Sequence, residues 1–177
     1  MTRTTRRRRR VVRPPVRVAS RWLDAPTETD LEEIFRWWNA TNGGLDLGLT
    51  PEAVIRIIRP FQSQTLITEV IGDKHDFRST IVGSQWVRWH GRDVTNTFLS
   101  HYRDKEVQTK TRALFNRVVT EKRPLFIETP PIAARRMPRN MTKQMIFLPL
   151  RGLEGNVTHF ITALSRHQLQ YSGRGSA

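Results

Sequence analysis

The stretch from Phe77 to Phe98, FRSTIVGSQWVRWHGRDVTNTF, constrains the fold most, because it must fit several kinds of local structure into about two dozen residues. Phe77 to Val82 predicts a buried strand, Gly83 a sharp corner, and Trp86, Val87 and Trp89 a short apolar helical face. Gly91-Arg92-Asp93 supplies a polar turn. Strand, corner, helix and turn in so short a span leave a hollow between a sheet and the helices crossing it. A small ligand could be held there.

The flanking sequence supplies the rest of such a sheet. Before the hub, Thr29 predicts a helix start with Glu32 closing a capping box, and Leu31, Ile34, Phe35 and Trp38 recur with helical spacing. Gly43-Gly44 ends that helix. A second helix is expected from Thr50, with Pro51 at its first position and Pro60 bending or ending it. Thr65 to Ile71 is β-rich and pairs with the hub strand as a hairpin across Gly72-Asp73-Lys74. After the hub, Thr95 to Tyr102 reads as loop plus a short helix. Asp104 caps a long helix that Lys122-Arg123 complete and Pro124 stops. Three strands follow, at Leu125 to Thr129, Lys143 to Leu150 and Val157 to Ser165, the last two joined by a Gly152 to Asn156 turn.

At 177 residues the chain is sized for one domain with its own core. It has no cysteine, which excludes disulfides, thiolate metal sites and a thiol nucleophile. No apolar run is long enough to span a bilayer, and a soluble, cytoplasmic protein without membrane contact is expected. The net charge of +14 is concentrated at the N-terminus, where residues 1 to 22 hold nine arginines and no acid, leaving +5 for the remainder. The expected division is a disordered basic arm over residues 1–26, one domain over 27–166 and a flexible tail over 167–177. The arm is either a solvated segment or a contact for nucleic acid or acidic membrane.

The order helix, helix, two strands, short helices, long helix and three strands describes an α+β domain with one antiparallel sheet packed by helices. From about Leu31 to Ser165 the chain resembles the PAS domains of alphaproteobacterial stand-alone proteins, the PAS_5 family. The segments carrying the resemblance are FRWWNATNGG (35–44), RIIRPFQSQTLITEV (56–70), FRSTIVGS (77–84), HGRDVTNTFL (90–99) and FLPLRGLEGNVTHFITAL (147–164). It departs from the family pattern at Thr80, where a second Arg is usual, and at Asn96, where Gly is usual. The resemblance implies a five-stranded antiparallel sheet with helices packed on one face, preceded by N-terminal helices. It also implies a sensory or protein-interaction module with a pocket between sheet and helices.

Phe77, Trp86, Trp89, Phe98, Phe115 and Phe126 are the aromatic candidates for the pocket wall, or for a close-packed core. Leu31, Trp37 and Trp38 are candidates for a homodimer contact, since two adjacent tryptophans cannot both enter one core. Arg135, Arg136, Arg139 and Lys143 open a basic patch reaching Arg151, free of acids between Glu128 and Glu154. It is either a solvated hairpin or an anion contact. With the basic arm, that patch supports a second reading as a nucleic-acid-associated regulator, although no aromatic is interleaved to stack on bases.

Enzyme signatures fail on their residues. HGRD at 90–93 lacks the uninterrupted His-Arg-Asp of a kinase loop and has no glycine-rich phosphate loop beside it. Asp93 is expected to bond its own turn. His75, His90, His101, His159 and His167 show no metal-ligand spacing. The sequence requires no cofactor; a haem bound through one histidine would use His90 or His101.

Overall fold

The computed structural model describes residues 20–41, 58–72, 76–129, 143–152 and 154–165. Six strands form one antiparallel sheet: β1 (Arg21–Leu23), β2 (Thr65–Ile71), β3 (Asp76–Val82), β4 (Leu125–Thr129), β5 (Lys143–Arg151) and β6 (Val157–Leu164). Their order across the sheet is β1-β4-β5-β6-β2-β3. Five of them occupy the places expected from sequence. The sixth, β1, falls inside the segment expected to be a disordered arm. It pairs with β4, and the Arg21 guanidinium meets the Glu128 carboxylate at 2.5 Å. Three residues give too short a pattern for periodicity to register, so only the pairing reveals the strand.

Among the described residues three α-helices accompany the sheet: α1 (Thr29–Ala40), α2 (Ser84–His90) and α3 (Lys105–Glu121). Two 3₁₀ turns, Arg59–Gln64 and Leu99–His101, complete the described elements. The Asp104 carboxylate accepts the backbone N–H groups of Glu106 and Val107, so α3 starts where its cap predicts. It ends at Glu121, one residue before Lys122, which takes a left-handed conformation at φ 50°. The start of α1 differs from expectation. Glu28 holds the cap position without a side-chain bond, and Thr29 is already helical. Asp30 instead accepts from the backbone of Leu31 and from the Ser165 hydroxyl, tying the helix to the end of β6.

Strand β5 shows how the core is divided. Met145 and Phe147 join an inner cluster with Phe77, Trp86, Phe115 and Phe160, beneath α2 and α3. Ile146, Leu148 and Leu150 join an outer cluster with Leu31, Ile34 and Trp38 of α1. Both faces of the central strand are buried, which explains its nearly continuous apolar run. The expected packing of helices on one face therefore describes α2 and α3, while α1 covers the opposite face. Pro149 lies past the last β4 partner of β5, where the strand is locally an edge and a missing N–H is tolerated.

A register shift opposite Ile67 and Thr68 makes Thr80 an extra residue in β3. Phe77 and Ser79 face inward, and the bulge turns Ile81 to the outer cluster. Gly83 follows at the corner with an ordinary negative φ of −68°. Its role is steric, because a Cβ there would run into the backbone carbonyls of Gln62 and Ser63. The Trp86 indole N–H donates to the Gln64 carbonyl at 2.8 Å, fastening α2 to the same 3₁₀ turn.

The expected Gly43-Gly44 stop and the start of the second helix at Thr50 lie outside the described residues, as do residues 130–142.

Candidate functional site

Between the inner face of the sheet and the wall made by α2, the Leu99–His101 turn and α3 lies a cavity of about 380 Å³. Its apolar lining comes from both sides: Leu66, Phe77, Met145 and Phe147 from the sheet, and Trp86, Leu99, Val107, Leu114 and Phe115 from the helices and turn. Phe77, Phe115 and Phe160 form a cluster of edge-on rings, with Phe115 to Phe160 centroids 4.8 Å apart. That cluster holds the sheet and α3 together beside the cavity.

Across this apolar floor runs a row of hydroxyls. Thr162 of β6, Thr68 of β2 and Ser79 of β3 all line the cavity. Thr68 stands directly opposite Ser79 in the β2–β3 register. Thr162 pairs with Leu66 and Thr68 with Phe160, which makes the two threonines diagonal neighbours roughly 7 Å apart. The Ser79 hydroxyl bonds the phenol of Tyr102, whose pKa burial raises, while that bond and Arg92 act in the opposite direction. Thr68 and Thr162 are each 1% exposed, and among the described residues neither hydroxyl has a hydrogen-bond partner. A buried hydroxyl without a partner carries a desolvation cost of about 1–3 kcal/mol, so two side by side in a cavity floor are notable.

The rim is charged. Gly91 ends α2 in the left-handed conformation at φ 73°, and Arg92 follows it at the cavity edge. Arg103 and Asp104, just before α3, also line the cavity. His90 lines it too, and its pKa is lowered to about 4 by burial first, then by the charges of Arg92 and Lys143. It is neutral at pH 7.

The six aromatic candidates separate. Phe77, Trp86 and Phe115 line the cavity. Phe98 lies outside it, with the Arg78 guanidinium 5.8 Å from its ring centroid and His101 packed alongside. Phe126 points to the other face of the sheet, edge-on to Phe35 at 5.1 Å, because it is one residue out of phase with Leu125 and Ile127. The side chain of Trp89 is outside the description. Of the two histidines considered for haem, His90 faces the cavity and His101 is exposed. The hydroxyl row was missed, although alternate Thr and Ser in paired strands is a readable signal once strand partners are known.

The remaining candidates also move. Leu31 and Trp38 are buried against the chain's own sheet, and Trp37 packs at the margin of the same cluster. Trp38 is thus part of the outer core, while Trp37 is only partly buried at its margin. Lys143 is 2% exposed, and burial brings its pKa down to about 8, which removes it from any surface anion patch. Arg135, Arg136 and Arg139 lie outside the described residues. Asp93 accepts the backbone N–H and the hydroxyl of Thr95, as a turn-bonding residue does, and those bonds lower its pKa. Asn96 adopts φ 57°, so the backbone there takes the left-handed form that glycine would favour. Among the described residues no group of three His, Asp or Glu side chains could hold a metal ion, and no helix is long and apolar enough to cross a membrane.

No family model and no curated protein sequence matches the chain. Solved structures similar to it include an RNA-binding Light-Oxygen-Voltage receptor, at 12% identity and TM-score 0.46, over 70% of this chain. The chain spans 34% of that receptor's length. A sensory box sensor histidine kinase from Vibrio cholerae is similar over 64% of this chain and 89% of its own, at 10% identity and TM-score 0.41.

Proposed function

We propose that this chain is a non-enzymatic PAS-type sensory or interaction module that holds a small ligand between its sheet and the α2–α3 wall. The observation carrying this reading is the pair of buried, unpartnered hydroxyls of Thr68 and Thr162 in the floor of a cavity of about 380 Å³. A close-packed core has no reason to retain them, whereas a ligand with a hydrogen-bonding group satisfies both. Apart from Ser79, Thr111, His90, Tyr102 and the charged rim of Arg92, Arg103 and Asp104, the remaining wall is aliphatic and aromatic. Its carboxylate, on Asp104, is engaged with the backbone of α3, which argues for holding a molecule rather than transforming it. The output is contact with another chain, altered when the α2–α3 wall closes on an occupied cavity.

Native mass spectrometry of the freshly purified protein tests the reading. The expected spectrum shows one small molecule per chain, absent from Thr111→Phe, which narrows the cavity from the helical side. Each protein appearing only at its own unliganded mass, with neither taking up phenylacetate or phenylacetamide when added, would overturn it.

A further inference from the structure

We infer that the ligand is a small anion with an apolar body, seated with its carboxylate or equivalent group between Arg92 and Arg103 and its body against Trp86 and Phe115. This rests on the cavity being a ligand site and adds the charge and direction of what it holds. Arg92 and Arg103 both line the opening, and neither is in an ion pair among the described residues. Arg78 meets Glu69 and Arg112 meets Asp76, whereas Arg36, Arg59, Arg88 and Arg151 are, like Arg92 and Arg103, without an ion pair among the described residues, so it is their place in the cavity lining that sets Arg92 and Arg103 apart. The acid on the rim, Asp104, directs one oxygen at two backbone N–H groups of α3 and keeps its negative charge, so Arg92, Arg103 and Asp104 together leave the cavity lining net positive.

Two groups in the cavity wall already register a positive field. Arg92 and Lys143 both disfavour a proton on His90, after burial, and Arg92 also favours the phenolate of Tyr102 against burial. An anion placed there gains charge-assisted bonds from planar donors that match a carboxylate. The apolar depth behind it suits a ring or branched chain, and the hydroxyl floor receives a neutral polar atom rather than a second charge, which burial would penalise.

Calorimetric titration of the full chain with matched pairs tests the assignment: phenylacetate against phenylacetamide, and indole-3-acetate against indole-3-acetamide. Each acid is expected to bind about tenfold more tightly than its amide at low salt. The double variant Arg92→Gln, Arg103→Gln is expected to erase that preference while leaving amide binding in place, and added salt is expected to shrink it. Amides that bind as tightly as their acids overturn the anion assignment and leave the cavity a ligand site. If no compound binds, and Thr111→Phe behaves as the wild type, the cavity reading falls together with it.

Discussion

The indole N–H of Trp38 donates to the backbone carbonyl of Pro149 at 2.9 Å, pinning α1 to the centre of the outer sheet face. Helix and strand are 111 residues apart in sequence, and the bond is buried. It fixes a surface that a sequence pattern alone offers equally to a second copy of the chain. Trp38→Phe is expected to lose about 2–4 kcal/mol in urea denaturation, because it leaves that carbonyl unsatisfied and opens a cavity where the buried ring was. Leu31→Asp, at a fully buried position, is expected to unfold the domain rather than merely change its sedimentation. A folded Leu31→Asp monomer would show that α1 packs elsewhere.

Acid stability should follow His90. Its pKa in the folded chain is lowered to about 4 from 6.5, so the unfolded chain binds the proton more readily throughout that window. Stability attributable to this group is present above about pH 6.5 and is lost as pH falls toward 4, with an order-of-magnitude size of about 3 kcal/mol. Denaturation curves of wild type and His90→Gln between those pH values should diverge, the variant having the flatter profile. Removing a neighbouring cation, by Arg92→Gln or Lys143→Met, is expected to raise the His90 pKa in an NMR titration.

Gly83→Ala separates a steric glycine from a conformational one. The backbone there has negative φ, so alanine faces no strain of its own, yet its Cβ meets the Gln62 carbonyl. A loss of about 3 kcal/mol or more in chemical denaturation is expected, of the kind overpacking produces. By contrast, Gly155→Ala, at φ 74° with open space around it, should lose only about 1 kcal/mol. Equal effects would place the packing of α2 on the 3₁₀ turn in error.

The hydroxyl row makes stability and binding move in opposite directions. In the ligand-free protein, Thr68→Val or Thr162→Val removes a buried unpartnered hydroxyl and is expected to stabilise by roughly 1 kcal/mol each. The same variants should bind indole-3-acetate, whose ring N–H can meet the hydroxyl floor, more weakly, and leave phenylacetate binding nearly unchanged. Calorimetry with both readouts distinguishes this from ordinary core residues, where a swap that disturbs packing lowers stability.

What the sequence makes legible here is what repeats over several residues. The β2–β3 hairpin, the capped α3 and strands β4 to β6 carry patterns long enough to read, and the hub over 77–98 folds as strand, corner, helix and turn. The division of aromatics between faces is less legible, because it depends on phase. Phe126 differs from its neighbours by a single position, and one bulge at Thr80 reverses the side on which Ile81 falls. β1 is too short to announce itself. The hydroxyl row exists only once β6, β2 and β3 stand side by side, and strand order is not a local property. Likewise Lys143 reads as one more charge in a basic run until the sheet buries it.

A crystal structure of the protein purified without denaturation tests the central claim most directly. The account predicts density for one small molecule between the sheet and α2–α3, with a polar atom within hydrogen-bond reach of both Thr68 and Thr162. A cavity closed by side chains, or filled only by water bonded to those two hydroxyls, would contradict it.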